Sequence, residues 1–372
     1  MTQVAMSAIP AGVRAPTRRA LARLSRFPRR VRPAVSALAS RDGRFADLAL
    51  SFPALLVALA IARRSVDVAR ARALVLDGAP LRVVAGLARV PIWLKALPPE
   101  SFLEPLAELP DGPQFRLQVA NFVPGEARFS AAWLAAVAQA HEAGNANFVL
   151  WVARKSPRQR YPDGMVHRLA LLAWYSNAGR STSAGGYISK AWHPAMSWDA
   201  ACMETYNWFE AIMLALRLQN QPLVDPWIGP QRVLGYEFVP LVTTGDIIEE
   251  AAAMGNCVRT YGLDLAEGTS RLFSMRCDGR RVATLELGMW QDDPYPRIGQ
   301  LRGARNLPVT TGVWQAAHRW LVTHAQPRST CNDCCAPFDP KVWRDLWRPY
   351  WLAHGRVPRW LPLQPLRSLN NM

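Results

Sequence analysis

Apolar residues recur at helical spacing through the first 220 residues of the chain. In the segment SWDAACMETYNWFEAIMLALRLQN, Trp208, Ile212 and Leu216 lie four residues apart. This spacing places the three side chains on one face and predicts a long helix over residues 197–220. Similar patterns, several of them bounded by Ser, Gly or Pro, predict further helices over residues 45–76, 81–97, 130–144 and 165–179.

The pattern changes after Pro222, where short apolar runs are separated by Gly and Pro. The run VLGYEFVPLVT (233–243) predicts a strand or an extended connector. In SRLFSMRCDGRRVATLEL (270–287), an Asp-Gly pair between two short strands predicts a tight hairpin. A third strand is predicted at 297–303, with helices at 245–262 and 310–325. The predicted fold class is α+β: a helical N-terminal half, then a small module of helix, β-hairpin, third strand and closing helix.

These patterns divide the chain into five predicted parts. They are a basic disordered arm (1–44), a helical domain (45–180), a linker with the long helix (181–232), the α+β module (233–325) and a C-terminal tail rich in Cys, Trp and Arg (326–372).

The most apolar run of the chain is LALSFPALLVALAIA (48–62), and Arg63 and Arg64 follow it. It has 15 residues, whereas a membrane-spanning helix needs about 20 apolar residues. Pro53 suits the first turn of a helix better than its middle. We therefore predict a buried helix, and contact with a membrane is the less favoured alternative.

Positive charge dominates the composition. The net charge of +16 comes from 40 Arg and 4 Lys against 28 Asp and Glu. A GC-rich genome also produces an excess of Arg, but a large positive charge favours anionic partners such as nucleic acid or an acidic membrane surface. The first 40 residues hold eight Arg and no acid, which is typical of a transit peptide, of a phosphate-binding arm or of a solvated tail. The nucleic-acid-binding candidates in this segment are Arg18, Arg19, Arg29 and Arg30.

The C-terminal tail interleaves Trp343, Trp347 and Trp351 with Arg344 and Arg348. The three Trp residues are four apart and share one helical stripe. Aromatic rings and guanidinium groups together can hold single-stranded nucleic acid or lie at a membrane interface. The alternative is a tail whose Trp stripe packs on the rest of the protein while its Arg side chains stay in water.

Six cysteines in a chain of this length form no evident disulfide framework, and no secretory signal precedes them. We therefore predict a protein of the reducing cytoplasm. His324, Cys331 and Cys334 are candidate ligands for tetrahedral Zn²⁺, and free thiols or a redox pair are the alternatives. His318 and His324 are six residues apart, so a regular helix cannot bring both to one ion. We expect no cofactor, and at most a weak zinc site.

The segment MGNCVRTYG contains Cys257, which has two predicted geometries. On a continuous helix, Cys257 lies about 80° from the apolar stripe that contains Met254, at the edge of the core. If Gly255 ends the helix and Asn256 caps a new one, Cys257 becomes the first residue of the second helix, where the helix dipole lowers a thiol pKa. We predict the continuous helix, with Cys257 as a packing residue whose replacement by Ala costs about 1 kcal/mol.

Four segments between residues 254 and 306 follow one another in a specific order: MGNCVRTYG, EGTSRLFSMR, VATLELG and RIGQLRGARN. Together they resemble the core signature of the PcfJ-like family, which is encoded on conjugative plasmids and other mobile elements. The resemblance implies a biological setting more firmly than a chemistry. Asn256 stands where the family often has His. Besides Cys257, Glu286 and Gln300, the matching residues include Tyr261, Ser274, Arg276, Thr284, Arg302, Gly303 and Asn306.

The register of the hairpin decides whether these polar residues form one site. With Asp278 and the following Gly as a two-residue loop, regular pairing places Arg271 opposite Glu286 as an ion pair. Ser274 and Arg276 then face the other side of the sheet. The predicted register therefore divides the polar residues between two faces.

The candidate catalytic residues are Cys257, Glu286, Gln300 and His318, with His318 as the base that a thiol nucleophile needs. The predicted function is that of a PcfJ-like accessory protein of a mobile element, which contacts nucleic acid through Arg-rich surfaces and has other proteins of the element as further candidate partners. The alternatives are a Cys257-dependent hydrolase or transferase and a protein–protein adaptor.

Overall fold

Within the described residues, five antiparallel strands form one sheet in the C-terminal half, and helices make up most of the rest. The structure is a computed structural model and describes residues 14–61, 66–156, 165–178, 184–290, 293–328 and 340–353. The predicted fold class, α+β with a helical N-terminal half, is confirmed.

Short helices pack around an apolar core in the first hundred residues. Phe27, Val35, Phe52 and Leu55 are fully buried in this core. The helices are α1 (Arg18–Leu24), α2 (Arg32–Ala39), α3 (Gly43–Ser51), α4 (Pro53–Ile61), α5 (Val66–Leu76) and α6 (Leu81–Leu87).

The prediction of a disordered arm over residues 1–44 is wrong for residues 14–44. Ala20, Phe27 and Val31 are buried there although Arg residues surround them. Ala20 lies on α1, and Phe27 and Val31 lie between α1 and α2. All three pack in the helical core, and this burial orders the segment in spite of its charge. Residues 1–13 lie outside the described residues.

The apolar run at 48–62 belongs to two helices rather than one. Helix α3 ends at Ser51 and Pro53 occupies the first position of α4, where its missing N–H leaves no hydrogen bond unmade. The run is buried as predicted, but the single helix over residues 45–76 is wrong. No helix in the described part of the chain has the length and apolar character that crossing a membrane requires.

The helix predicted over residues 81–97 is also broken. Helix α6 ends at Leu87, the backbone turns at Arg89 (φ 54°), and a short 3₁₀ helix follows at Ile92–Ala96. Pro91 accounts for the break, because a proline disfavours the helical conformation of the residue before it.

A second group of helices leads to the long helix. Ser197 caps that helix, and its hydroxyl accepts a hydrogen bond from the backbone N–H of Ala200 at 3.2 Å. The helices predicted at 130–144, 165–179 and 197–220 correspond to the second, fourth and fifth of this group. The group consists of α7 (Pro113–Val119), α8 (Ala127–Ala143), α9 (Ala146–Lys155), α10 (Met165–Asn177) and α11 (Trp198–Arg217).

The sheet is an antiparallel meander in which the strand order follows the chain. The predicted Asp-Gly hairpin is confirmed, and both turn residues have positive φ (Asp278 49°, Gly279 75°), as a two-residue turn of this kind requires. The strands are β1 (Gln231–Val233), β2 (Tyr236–Pro240), β3 (Ser270–Cys277), β4 (Arg280–Trp290) and β5 (Asp293–Arg302). The remaining helices are α12 (Thr244–Met254), α13 (Gly262–Ala266), α14 (Thr311–His324) and α15 (Pro340–Ala353).

Helices cover both faces of the sheet. On one face, Trp320 of α14 stacks on Phe238 with ring centroids 4.5 Å apart. On the other face, Leu272 packs with Ile247 of α12 and Leu214 of α11. The polar residues of the resemblance lie on this second face, as described below.

Candidate functional site

A β-bulge in the hairpin decides which side chains share a face of the sheet. At the tip, Cys277 pairs with Arg280, whereas farther along Met275 pairs with Ala283. Val282 of β4 is therefore an extra residue, and the pairing beyond it is shifted by one. Because side chains alternate along a strand, such a shift moves every later side chain of β4 to the other face.

The shift gathers the polar residues of the resemblance on one face. Ser274 pairs with Thr284, and Glu286 pairs with Gln300 on β5. The predicted division between two faces is therefore wrong. The predicted Arg271–Glu286 ion pair is also wrong. Arg271 pairs with Leu287, and both side chains lie on the face of the sheet opposite to Glu286.

Arg271 instead makes contacts on the apolar side of the sheet. Its guanidinium group donates to the backbone carbonyls of Asp225 at 2.6 Å and Ser270 at 2.7 Å. It also lies over the ring of Trp227, 5.1 Å from the centroid. Backbone carbonyls and an aromatic ring therefore contact this buried guanidinium.

Gly255 ends α12 directly before Cys257. Its φ of 60° is the left-handed conformation that ends many helices. The chain then enters a 3₁₀ helix over Val258–Tyr261, and Cys257 is exposed. The predictions of a continuous helix and of a packing role for Cys257 are therefore wrong. Asn256 accepts a hydrogen bond from the N–H of Val258 at 3.4 Å, which resembles the second predicted geometry.

Glu286 is held in place by two hydroxyl groups. Tyr261 donates to one carboxylate oxygen and Ser270 to the other, each at 3.0 Å. Burial, together with the nearby charge of Glu286, raises the pKa of Tyr261 above its ordinary value, so its hydroxyl keeps the proton that it donates. Ser270 was not among the predicted site residues, although it lies four residues before Ser274 and therefore on the same face of β3.

A second carboxylate, that of Glu250 on α12, is fully buried beside the same strand. It accepts hydrogen bonds from Thr284 at 2.8 Å and from Arg281 at 2.9 Å. Thr284 in turn accepts one from Asn256 at 2.9 Å. The network ties the end of α12 to β4 and fixes the turn that presents Cys257. The sequence signal for Glu250 was its position on the apolar stripe of α12, three residues after Ile247.

An open cleft of about 580 Å³ lies between this polar face and the turn that contains Cys257. It brings together three of the four candidate catalytic residues, since Cys257, Glu286 and Gln300 all line it. Asp264 and Trp290, which were not among the predicted site residues, also line it. The cleft places a thiol, carboxylates and hydroxyl groups at one solvent-accessible site.

His318 does not belong to this site. Helix α14 packs through Trp320 on the sheet face that carries Leu285. Since neighbouring residues of a strand face opposite sides, Glu286 points away from α14. The sheet therefore lies between His318 and Cys257, and the predicted Cys–His pair is wrong.

The zinc prediction lies mostly outside the described residues, because Cys331 and Cys334 are among those that the structure does not describe. His324 is half-buried at the end of α14. Across the described ranges, no group of three or more His, Cys, Asp or Glu side chains is placed to hold a metal ion.

The four N-terminal arginines proposed for nucleic-acid contact lie on the surface, Arg18 and Arg19 on α1 and Arg29 and Arg30 in the turn between α1 and α2. Arg30 forms an ion pair with Glu104. Arg18, Arg19 and Arg29 are exposed, and among the described residues no carboxylate forms an ion pair with them. These three guanidinium groups are therefore accessible to an anionic partner.

Helix α15 packs against the helical core through its apolar side. Trp347 is buried, and the hydroxyl of Tyr350 donates to the carbonyl of Ala143 at 2.6 Å. Arg344 and Arg348 are exposed. These residues therefore match the alternative in which the tail packs on the rest of the protein while its Arg side chains stay in water.

The last signature residues follow β5. Arg302 pairs with Thr284 across the sheet, and the N–H of Gly303 donates to the carbonyl of Leu307 at 2.8 Å. Asn306 is exposed and has a positive φ of 58°.

No protein-family model, curated protein or solved structure matches the chain, so the PcfJ-like assignment stays a prediction.

Proposed function

We propose that the protein is a PcfJ-like accessory protein of a mobile genetic element, which contacts nucleic acid in the cytoplasm through arginines on its first helices. The distribution of charge supports the nucleic-acid contact. Residues 1–99 contain 17 Lys and Arg against 4 Asp and Glu, a net charge of +13 out of +16 for the chain. Such a concentration of positive charge favours a phosphate backbone as the partner.

The uneven distribution argues against genome composition as the whole explanation. Residues 100–372 contain 27 Lys and Arg against 24 Asp and Glu, which is close to balance. A GC-rich genome would raise the Arg content along the whole chain, whereas a binding surface requires positive charge in one region.

The first helices present these charges on an ordered surface. Ala20 and Leu24 of α1 are buried, so the helix is fixed on the core while Arg18 and Arg19 remain exposed. Ordered arginines lose less conformational entropy on binding than arginines on a disordered arm. The exposed Arg344 and Arg348 of α15 are candidates for a second contact.

A gel-shift series over rising salt tests the proposal, with duplex DNA, single-stranded DNA and RNA as separate probes. The test variant combines Arg18→Gln, Arg19→Gln and Arg29→Gln. The slope of log K against log salt is negative, and each lost phosphate contact on duplex DNA should reduce its magnitude by about 0.9. We expect the variant to bind more weakly and with a shallower salt dependence than the wild type.

The matched control removes three charges elsewhere. Arg280, Arg297 and Arg319 are exposed on the hairpin, on β5 and on α14, and their combined replacement by Gln gives the same net charge as the test variant. The control should bind like the wild type. Absence of binding by the wild type at low salt, or equal weakening in both variants, contradicts the proposal.

A thiol-dependent hydrolase or transferase is the second candidate, and the exposure of Cys257 over the cleft favours it. None of the described residues that line the cleft is His, so a carboxylate of the cleft, Glu286 or Asp264, would have to accept the thiol proton. The test is alkylation of the native protein by iodoacetamide at pH 6, below the ordinary thiol pKa of about 8.5. This candidate predicts rapid alkylation at Cys257, slowed by Glu286→Gln, with the half-buried Cys202 and Cys277 as internal controls. Alkylation of Cys257 no faster than that of an ordinary exposed thiol excludes it.

A further inference from the structure

The cleft beside Cys257 is acidic in a strongly basic protein. The carboxylates of Asp264 and Glu286 are among its lining groups, and none of the described residues that line it is Arg, Lys or His. The whole chain, in contrast, holds 44 Lys and Arg against 28 Asp and Glu. The group that would complement the charge of this cleft is therefore a cation that the described residues do not supply.

Glu286 is held in a fixed position, and part of its hydrogen-bonding capacity is unused. Tyr261 and Ser270 each donate to a different carboxylate oxygen. An ionised carboxylate can accept about four hydrogen bonds, so both oxygens can accept further donors. Among the described residues, no Arg or Lys forms an ion pair with Glu286 or with Asp264.

The carboxylate of Glu286 lies next to a glycine that leaves it uncovered. A Cβ atom on Gly299 would lie 3.1 Å from Cδ of Glu286, so any side chain at this position would press on the carboxylate. Gly299 is the extra residue of a β-bulge in β5, directly before Gln300, which pairs with Glu286. The absence of a side chain here therefore keeps room beside the charge.

An aromatic ring forms part of the same cleft. The indole of Trp290 lies against Gly288, where a Cβ atom would be 3.3 Å from the ring. The side chain is nevertheless 49 % exposed. An exposed aromatic ring near a carboxylate attracts organic cations, because the ring quadrupole and the negative charge act on the same group.

We propose that this cleft binds an organic cation, either a primary ammonium or a guanidinium group, with Glu286 as its counter-ion and Trp290 as an aromatic wall. A divalent metal fits the site less well. No three metal-binding side chains converge in the described part of the chain, and hard cations take several oxygen ligands. The volume of about 580 Å³ is also in the range of sites for small organic groups.

Two sources supply the same chemistry. One is a Lys or Arg side chain of a partner protein, and the other is a free amine. The probes are therefore N-acetyl-lysine amide, N-acetyl-arginine amide and putrescine, with N-acetyl-norleucine amide as the uncharged analogue. Tighter binding of the capped amino acids assigns the site to a protein side chain, and tighter binding of putrescine assigns it to a free amine.

Binding is measured on the full chain by NMR titration, from the shifts of the Trp290 indole N–H and the Gly299 amide N–H. Glu286→Gln should weaken binding of the cations about tenfold or more, because a hydrogen bond to a charged group is worth about 1.5–3 kcal/mol. Gly299→Ala keeps the charge of the cleft and should also weaken binding, because its Cβ crowds the carboxylate.

Glu267→Gln is the matched control, because Glu267 is exposed near the end of α13 and does not line the cleft. It removes the same charge and should leave the affinity unchanged. Absence of shifts with all three cations, equal shifts with the norleucine derivative, or equal weakening by Glu267→Gln and Glu286→Gln overturns the proposal. The outcome is independent of nucleic-acid binding, since Arg18, Arg19 and Arg29 remain intact in these variants.

Discussion

At the scale of single residues, the environment of Cys257 determines what its replacement will cost. Gly255, in the left-handed conformation, ends α12 two residues before Cys257, and the thiol is exposed. Substitutions at exposed positions usually change stability by less than about 0.5 kcal/mol. Replacement of a buried thiol by Ala would cost about 1 kcal/mol. The observed exposure therefore lowers the loss of stability that we expect for Cys257→Ala.

We therefore expect Cys257→Ala to reduce the free energy of unfolding by less than about 0.5 kcal/mol. Met254→Ala is the control, because Met254 is buried three residues earlier and should cost about 2–5 kcal/mol. Urea unfolding followed by circular dichroism measures both. A loss above about 1 kcal/mol for Cys257→Ala would show that the thiol is packed after all.

Glu210 on α11 makes stability depend on pH. Burial raises its pKa to about 7, from an ordinary value of 4.5. Between these values the folded state retains a proton that the unfolded state releases, so the contribution to stability falls as the pH rises from about 4.5 to 7. Above this range the folded state holds a half-buried negative charge.

Glu210→Gln removes this charge, and we expect the variant to gain stability over the wild type at pH 8 but not at pH 4.5. Urea unfolding at the two pH values, with the exposed Glu267→Gln as a control, checks this expectation. The same change in stability at both pH values would mean that Glu210 titrates normally.

At the scale of elements, a buried ion pair joins α12 to the sheet. Glu250 is fully buried, and Arg281 and Thr284 of β4 donate to its two oxygens. A buried carboxylate that loses its counter-charge is costly, because neither solvent nor protein then compensates it. The pair therefore stabilises the packing of α12 on β4 that holds Cys257 at the cleft.

We expect Arg281→Ala to cost about 3–5 kcal/mol, the usual effect of breaking a buried ion pair. Arg297→Ala should cost less than about 1 kcal/mol, because its pair with Asp293 involves an exposed guanidinium. Thermal and urea unfolding of both variants provide the comparison. Equal losses would show that the burial of Glu250 contributes little.

At the scale of the whole molecule, α11 belongs to two cores. Trp208 and Ile212 pack in the helical half, while Leu214 and the C-cap residue Leu218 pack with the helices that cover the polar side of the sheet. The α+β module therefore lacks part of its core without this helix, and the predicted boundary at residue 233 leaves that part out.

We expect a fragment of residues 198–328 to unfold cooperatively and a fragment of residues 222–328 to lack a cooperative transition. The shorter fragment exposes Ile247 and Leu272, which pack against α11 in the full chain. Both fragments keep the pairing of Arg328 with Asp225. Near-ultraviolet circular dichroism during heating measures the difference, and equally sharp transitions would show that the module folds without α11.

The sequence by itself determined the local elements whose signals lie within a few residues. Ser197 starts α11 and Gly144 follows the end of α8, because capping depends on neighbouring backbone groups. The Asp-Gly pair marked the hairpin turn, since few residue pairs accept its backbone angles. The α+β class also came from such local patterns, whereas Glu286 and Gln300 became candidates beside Cys257 through the resemblance to the PcfJ-like signature.

Only the tertiary structure decided which of these residues meet. The extra Val282 turns Glu286 toward Ser270 and Tyr261, and regular alternation along the strand could not predict it. Likewise, His318 lies across the sheet from Cys257, and Arg-rich α1 is ordered by the burial of Ala20 and Leu24. Bulge position, sheet face and burial arise from contacts between residues far apart in the chain, so no short stretch of sequence contains them.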